Sequence, residues 1–222
     1  MQKVGNWGGG NVWKITSGIF SSNAYVIEAG IPGGCILIDP GLDALAIDSE
    51  LIKVNKRPAQ IFCTHGHFDH VGGAHFFQKK YGCPVFMHEA DKKTLKSSNF
   101  LLMILKIPQK ITIPEVTYVN NNFCIPVNGV DLKYIPTPGH TPGSCVINFG
   151  SAWFTGDTIY SRGIGLSSLP GECPETLKQS ILSLWDRLTV EIMIYPGHGG
   201  VADGLAIRTQ NKSLINFLGM VP

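Results

Sequence analysis

At 222 residues the chain exceeds a modal domain yet stays within the range of one large α/β domain with a substantial buried core, and a single domain over 1–222 is expected. Its 18 Lys+Arg against 16 Asp+Glu leave it nearly neutral, with no long basic run, which argues against nucleic acid as a main partner. Met1 to Gly10 holds no apolar signal-peptide core, and the most apolar run, Phe100 to Ile107, falls far short of the roughly 20 residues of a membrane-spanning helix, so a cytoplasmic protein with no membrane partner is expected.

In chain order, the Gly8-Gly9-Gly10 run lacks the spacing and the preceding strand of a phosphate loop and reads as a flexible lead-in. Residues 11–29 predict a hairpin, and Cys35-Ile-Leu-Ile-Asp39-Pro-Gly41 a buried strand ending in a turn. At that strand end Asp39 can orient ligating histidines. Leu42 to Asn55 reads as a helix through Leu45, Ala46, Ile47, Leu51 and Ile52, and Pro58 separates it from the next strand. That strand runs into Ile61-Phe-Cys-Thr-His65-Gly-His67-Phe-Asp69-His70, and a helix from about His70 to Tyr81 follows, ended by Gly82 and Pro84.

Val85 to His88 is a predicted strand, and His88, lying outside every motif, has a surface or structural role. Residues 89–110 read as one amphipathic helix and a second, more buried one over Phe100 to Ile107; the functional alternative is an apolar lid or acyl pocket over the site, with Met103 supplying adaptability. Strands follow at Ile125–Val127, Asp131–Ile135, Ser144–Phe149 and Ala152–Thr155, the first two joined by an Asn128-Gly129 turn. Pro174 opens a helix with Leu177, Ile181, Leu184 and Leu188 on one side, Glu191 to Tyr195 is a strand, and Ala202 to Leu218 is a closing helix. Six cysteines (Cys35, Cys63, Cys83, Cys124, Cys145, Cys173) show no CxxC spacing in a chain that needs no disulfide framework, and they are expected to be reduced and mostly buried. Cys63, two residues before His65, is expected simply to be packed.

The chemistry concentrates between His65 and His70, where three imidazoles and one carboxylate occupy six residues at a strand-to-helix corner. Imidazole with one carboxylate suits a borderline divalent metal better than calcium or magnesium. The helical zinc motif HExxH is absent. Three later turns each place one more donor at the end or start of an apolar run: His140 in Thr137-Pro-Gly-His-Thr-Pro-Gly143, Asp157 in Phe154-Thr-Gly-Asp-Thr158, and His198 in Tyr195-Pro-Gly-His-Gly199.

HxHxDH followed by His140, Asp157 and His198 resembles the metallo-β-lactamase superfamily, and the segments around Thr137 to Ser144, Phe154 to Tyr160 and Tyr195 to Gly199 are most similar to its glyoxalase II-like hydrolases. The resemblance implies a four-layer αββα sandwich with metals at strand ends between two sheets; periodicity by itself gives only mixed α and β. It implies that His65, His67 and His140 hold one metal and Asp69, His70 and His198 a second, with Asp157 bridging. The expected cofactor is two zinc ions, iron or manganese being alternatives in one or both sites.

Such ions lower the pKa of a bound water from about 15.7 to about 7, so no Ser or Cys nucleophile is needed, and Asp69 can anchor one metal and orient the hydroxide. A thiolate, with a conjugate-acid pKa of about 8.5, departs unaided, whereas an amine needs a proton donor the motifs do not provide. Beyond metal-bound water or Asp69 no donor is apparent, which is compatible with a thioester, and the glyoxalase II-like resemblance implies the same substrate. Glyoxalase II proper has a carboxy-terminal helical extension with basic residues for glutathione, while this sequence ends at Pro222, and Leu166 stands where the pattern GxGRxDL has Arg. These departures point from acylglutathione toward an acyl group on coenzyme A or a carrier protein. Two rivals remain: a persulfide dioxygenase holding a single iron on His65, His140 and Asp157, and a non-catalytic metal-binding protein of the same fold.

Overall fold

The computed structural model describes residues 1–7, 9–30 and 32–220; Gly8 of the glycine run, Ile31 and the terminal Val221 and Pro222 lie outside the described residues. Seven strands, β1 (Gln2–Asn6), β2 (Asn11–Ser17), β3 (Ser22–Ile27), β4 (Gly34–Ile38), β5 (Arg57–Phe62), β6 (Val85–His88) and β7 (Val116–Val119), lie side by side in sequence order. The first four pair antiparallel and the last four parallel, β4 being shared. A second sheet holds β8 (Cys124–Val127), β9 (Val130–Pro136), β10 (Cys145–Phe149), β11 (Ala152–Gly156), β12 (Met193–Pro196) and β13 (Ala202–Asp203), again in order, with only β11 and β12 parallel.

Side-chain alternation divides these strands between two apolar layers. Ile36 and Ile38 of β4 face Phe154, Tyr195 and Phe149 of the second sheet, while Leu37 between them packs outward against Ile47 and Leu51 of α1 (Ala44–Lys53), and against Val71 and Phe77 of α2 (Phe68–Val71) and α3 (Ala74–Tyr81). On the other sheet Ala152 and Phe154 point inward and Trp153 outward, onto Leu177, Ile181 and Leu184 of α5 (Pro174–Leu184) and Leu214 and Leu218 of α7 (Lys212–Leu218). Both faces of these strands are therefore buried, which explains their unbroken apolar runs. The layering is helix, sheet, sheet, helix: the metallo-β-lactamase fold with two mixed sheets.

The 11–29 hairpin forms as predicted, with β2 and β3 in antiparallel register. Asn128 and Gly129 both take positive φ, 48° and 80°, giving the primed turn that joins β8 to β9. Other segments depart from expectation. The helix predicted from His70 is split into α2 and α3, because Gly72 and Gly73 leave no room for side chains: a Cβ at Gly72 would meet the Phe68 carbonyl oxygen at 2.4 Å. The two helices expected in 89–110 are one, α4 (Lys92–Ile104), whose inward face is Leu95, Ser98 and Leu102; Phe100, Met103 and Ile104 lie on its exposed side, and Leu105 caps it. The closing helix is likewise broken, into β13, α6 (Gly204–Gln210) and α7, by Asn211 with ψ 77°. Strand β1 had no signal beyond a short, half-polar alternation.

Candidate metal centre

The predicted donors gather at the same edge of the two sheets, Asp69 and His70 on the short helix α2 and the others in turns. Asp39 follows β4, His65 and His67 follow β5, Asp157 follows β11, His198 follows β12, and His140 sits in the connection from β9 to β10. Two cross-sheet hydrogen bonds draw these ends together: Cys145 N donates to Thr64 O at 2.9 Å and Asn23 N to Gly197 O at 2.7 Å. Gly197 is required for the approach, since a Cβ there would stand 2.3 Å from Asp157 Oδ1 and 2.5 Å from His70 Cε1.

All seven predicted donors converge. One ligand atom from each of His65, His67 and His140 lies within 4.8 Å of the others, and the same holds for Asp69, His70 and His198 and for His65, His70 and Asp157. His67 Nδ1 is 2.9 Å from His140 Nε2. Asp157 spans the two groups: its Oδ1 is 3.4 Å from His70 Nε2, and its Oδ2 is 3.4 Å from His140 Nε2 and 3.6 Å from His198 Nε2. Asp69 Oδ2 lies 3.4 Å from His198 Nε2.

The outer ring nitrogens fix which atom faces inward. His70 Nδ1 donates to Asp39 Oδ2 at 3.0 Å, His140 Nδ1 to Gly165 O at 2.8 Å, and His198 Nδ1 to Phe20 O at 3.1 Å. His65 Nδ1 is 3.1 Å from Thr64 Oγ1, whose own hydrogen goes to Asp39 Oδ2 at 2.6 Å, so the hydroxyl accepts from the ring. In these four rings Nε2 is thereby the nitrogen turned toward the cluster, the atom a metal requires. His65 Nε2, His70 Nε2 and Asp157 Oδ1 are buried without a hydrogen-bond partner. Buried polar atoms are rarely left so. Orphaned imidazole nitrogens facing a bridging carboxylate fit a divalent ion, and the donor set passes that test.

Protonation follows the same geometry. Burial, and after it His70, holds His65 well below the usual imidazole range, and burial followed by His140 brings His67 down to about 4. Burial also opposes charge on His70 and His198, but the carboxylates of Asp157 and Asp69 outweigh it, raising His70 and bringing His198 to about 9. Asp157 is held well below the carboxylate range because, against burial, the imidazoles of His70 and His198 favour its ionised form. The metal-free cluster thus uses protons where cations would sit.

Sequence reasoning left Asp39 undecided between roles; besides His70 it accepts from Thr64 N at 2.8 Å, and it is buried. It missed Asp91 entirely. That buried carboxylate accepts from Gly66 N at 2.6 Å, Gly143 N at 2.7 Å, Thr141 Oγ1 at 2.8 Å and Thr94 Oγ1 at 3.3 Å, tying the turn between His65 and His67 to the turn after His140. Glu172, whose Oε1 is 3.5 Å from His140 Nδ1, was also missed. His88 stays out of the cluster, accepting from Ala90 N and pairing with Asn121 Oδ1 at 2.7 Å. Cys63 is packed, with burial raising its thiol; Cys124 and Cys173 are exposed, and all six thiols are free.

A family profile described as "Metallo-beta-lactamase superfamily" matches residues 17–198. The chain belongs to this superfamily. Among curated superfamily relatives, "Probable metallo-hydrolase MJ0888" of Methanocaldococcus jannaschii is 32% identical over 201 residues, covering 88% of this chain and 96% of that one. Among solved metallo-β-lactamase folds, "BLEG-1 B3 metallo-beta-lactamase" superposes with a TM-score of 0.82 at 26% identity over 91% of this chain and 99% of that one. A second, "TTHA1623 in a di-iron-bound form", has a TM-score of 0.79 at 27% identity over 90% and 98%. The chain thus carries the fold of a metallo-hydrolase superfamily together with a cluster of His and Asp able to bind divalent metal, and among its described residues no helix is long and apolar enough to cross a membrane.

Proposed function

We propose that the protein is a glyoxalase II-like, dinuclear metal-dependent hydrolase of acyl thioesters. The observation that carries this reading is the convergence of two three-residue donor groups on one carboxylate, with the buried His65 Nε2 and His70 Nε2 left without a hydrogen-bond partner. His65 Nε2, His67 Nδ1 and His140 Nε2 would hold one ion, Asp69, His70 Nε2 and His198 Nε2 the other, and Asp157 would serve both. When bound, such ions lower the pKa of water to about 7 and polarise a carbonyl oxygen, which is the chemistry acyl transfer to water needs. Zinc in both sites is the proposed occupancy, with iron or manganese as alternatives; iron is supported by the di-iron-bound form of a structural neighbour.

The chain's own groups supply the rest. Asp69, with Oδ2 3.4 Å from His198 Nε2 and 3.7 Å from His70 Nε2, is placed to anchor one ion and to orient the attacking water. Asp39 and the carbonyls of Gly165 and Phe20 keep the four outer Nδ1 protons occupied, directly or through Thr64, so each ring would offer its Nε2 to an ion. With those rings held as ligands, none of the imidazoles would be free to protonate a basic leaving group, which favours a thiolate that departs on its own. Leu166, in place of a basic residue, supports coenzyme A or carrier-protein thioesters over acylglutathione.

The dioxygenase alternative needs only His65, His140 and Asp157, and would leave the assembled Asp69, His70 and His198 group without a purpose. A panel of acyl thioesters, lactams and lactones assayed alongside elemental analysis decides among the readings. Thioester cleavage with two ions per chain supports the hydrolase; one iron with oxygen uptake on a persulfide, lactam or lactone opening alone, or no turnover by loaded protein each overturns it.

A further inference from the structure

Beside the metal cluster a cavity of about 770 Å³ opens between the segment following Asp157, the segment following His198 and the start of α7. Its size is that of a small-molecule pocket. Both near walls spring from the cluster: Ser161 and Arg162 lie four and five residues after Asp157, and Gly200 lies two after His198. The Arg162 segment leaves the cluster at Asp157 and returns to it at Gly165, whose carbonyl accepts from His140 Nδ1. Its middle is pinned by the buried Asn211, which donates from Nδ2 to Tyr160 O and Gly163 O, each at 3.0 Å, and accepts from Gly163 N at 3.2 Å. The wall carrying Arg162 is therefore set before any ligand arrives.

The charge of this cavity is one-sided. Arg162 and Lys212 line it together with Ser161, Ser213 and Gln210, and no Asp or Glu is among the lining residues. Some cations elsewhere pair with carboxylates, as Arg208 does with Asp186 at 3.7 Å and Lys80 with Asp48 at 2.5 Å. Among the described residues neither Arg162 nor Lys212 has a carboxylate within 4.0 Å. The acidic residue nearest Lys212 in sequence, Asp203, caps its own helix by accepting from Ala206 N at 2.8 Å. Two exposed cations and two hydroxyls around a recess are the complement of an oxyanion.

We propose that this cavity is an anion subsite, and that the thiol half of the substrate carries a phosphate or carboxylate that Arg162 and Lys212 hold. The proposal rests on the thioester reading and sharpens it: position 166 carries no basic residue, and Arg162 and Lys212 supply the positive charge instead. The acyl carbonyl then lies at the cluster while the anionic end of the leaving thiol extends over the 160–163 segment.

The test uses the metal-loaded full chain and the double variant Arg162→Gln/Lys212→Gln, both positions being exposed. Three acetyl thioesters sharing one reacting centre are compared: S-acetyl coenzyme A (phosphates), S-acetylglutathione (carboxylates) and S-acetyl-N-acetylcysteamine (neutral). The expected result is that KM for one or both anionic thioesters, relative to that for the neutral one, rises about tenfold in the variant, the scale of removing two exposed charge contacts, with kcat ratios unchanged. Whichever anionic thioester responds names the group. An unchanged KM ratio, or an equal loss on all three, overturns the subsite. Calorimetric titration of coenzyme A and of glutathione into both proteins separates this from the parent reading: if no thioester is hydrolysed the parent reading falls, yet binding of either thiol that is lost in the variant still supports the subsite, and equal or absent binding overturns it.

Discussion

Asp91→Ala is the sharpest probe of how the two metal-bearing turns are held in register. The carboxylate accepts four hydrogen bonds, two from the buried amides of Gly66 and Gly143. Thr141 Oγ1 keeps a second partner in Ser144 Oγ at 2.7 Å, so the stranded groups are chiefly the two amides. Each buried unsatisfied donor costs about 1–3 kcal/mol, and a small cavity adds to this, giving about 3–5 kcal/mol in all. For a chain of this length 1 kcal/mol moves Tm by about 2–4 °C, so metal-free Asp91→Ala should melt about 10 °C below the wild type. Asp91→Asn should lose nearly as much, since its amide group turns a donor toward one of the two N–H groups. Thermal unfolding by circular dichroism of the metal-free proteins measures this, with Asp131→Ala as control: Asp131 is exposed, paired only with Lys133 at 3.1 Å, and its loss should shift stability by no more than about 0.5 kcal/mol. A Tm for Asp91→Ala within about 2 °C of the control would refute the reasoning.

Metal uptake should release protons. Because His198 is raised to about 9, it is charged at pH 7.5 in the metal-free protein and must lose a proton to ligate; His70, raised by the same carboxylates, adds to the release. Apparent affinity then climbs with pH and levels off near 9; calorimetry in buffers of different ionisation enthalpy reads the proton count, and zero release would contradict it. In the metal-free protein the folded-state rise of His198 is a stability contribution fully present below pH 6.5 and lost as pH climbs through about 9, so His198→Gln should flatten the fall in Tm over that window. Gly197→Ala drives a methyl into Asp157 and His70 and should weaken metal binding about 10- to 100-fold in a chelator competition, a fully retained affinity arguing against the close approach. Asn211→Ala frees Tyr160 O and Gly163 N and O together and should lower stability by about 2 kcal/mol in urea titration.

The site was legible because its donors are dense in sequence and each later one occupies a Gly/Pro-rich turn at a strand end. Periodicity also found most strands, since sandwiching between layers makes them continuous apolar runs such as Cys35 to Ile38. What stayed hidden depends on contacts across long separations. Asp91 lies between Glu89 and Lys92 and resembles any solvated charge; only its meeting with Gly143, 52 residues away, makes it a clamp. The apolar stretch from Phe100 suggested a second buried helix, but the inward face of α4 is already filled by Leu95, Ser98 and Leu102, which turns Phe100, Met103 and Ile104 outward. The Gly72-Gly73 pair carried a break signal in its low helix propensity, and the packing of Leu42 and the Phe68 carbonyl against Gly72 adds a constraint the sequence does not display.

Metal stoichiometry across single-ligand variants addresses the cluster most directly. Elemental analysis after loading and desalting should give two ions per chain for the wild type, about one for His67→Ala and for His198→Ala, and further loss for Asp157→Ala, which serves both groups. Two ions retained in both histidine variants, or fewer than one in the loaded wild type, would contradict a centre built from these seven side chains.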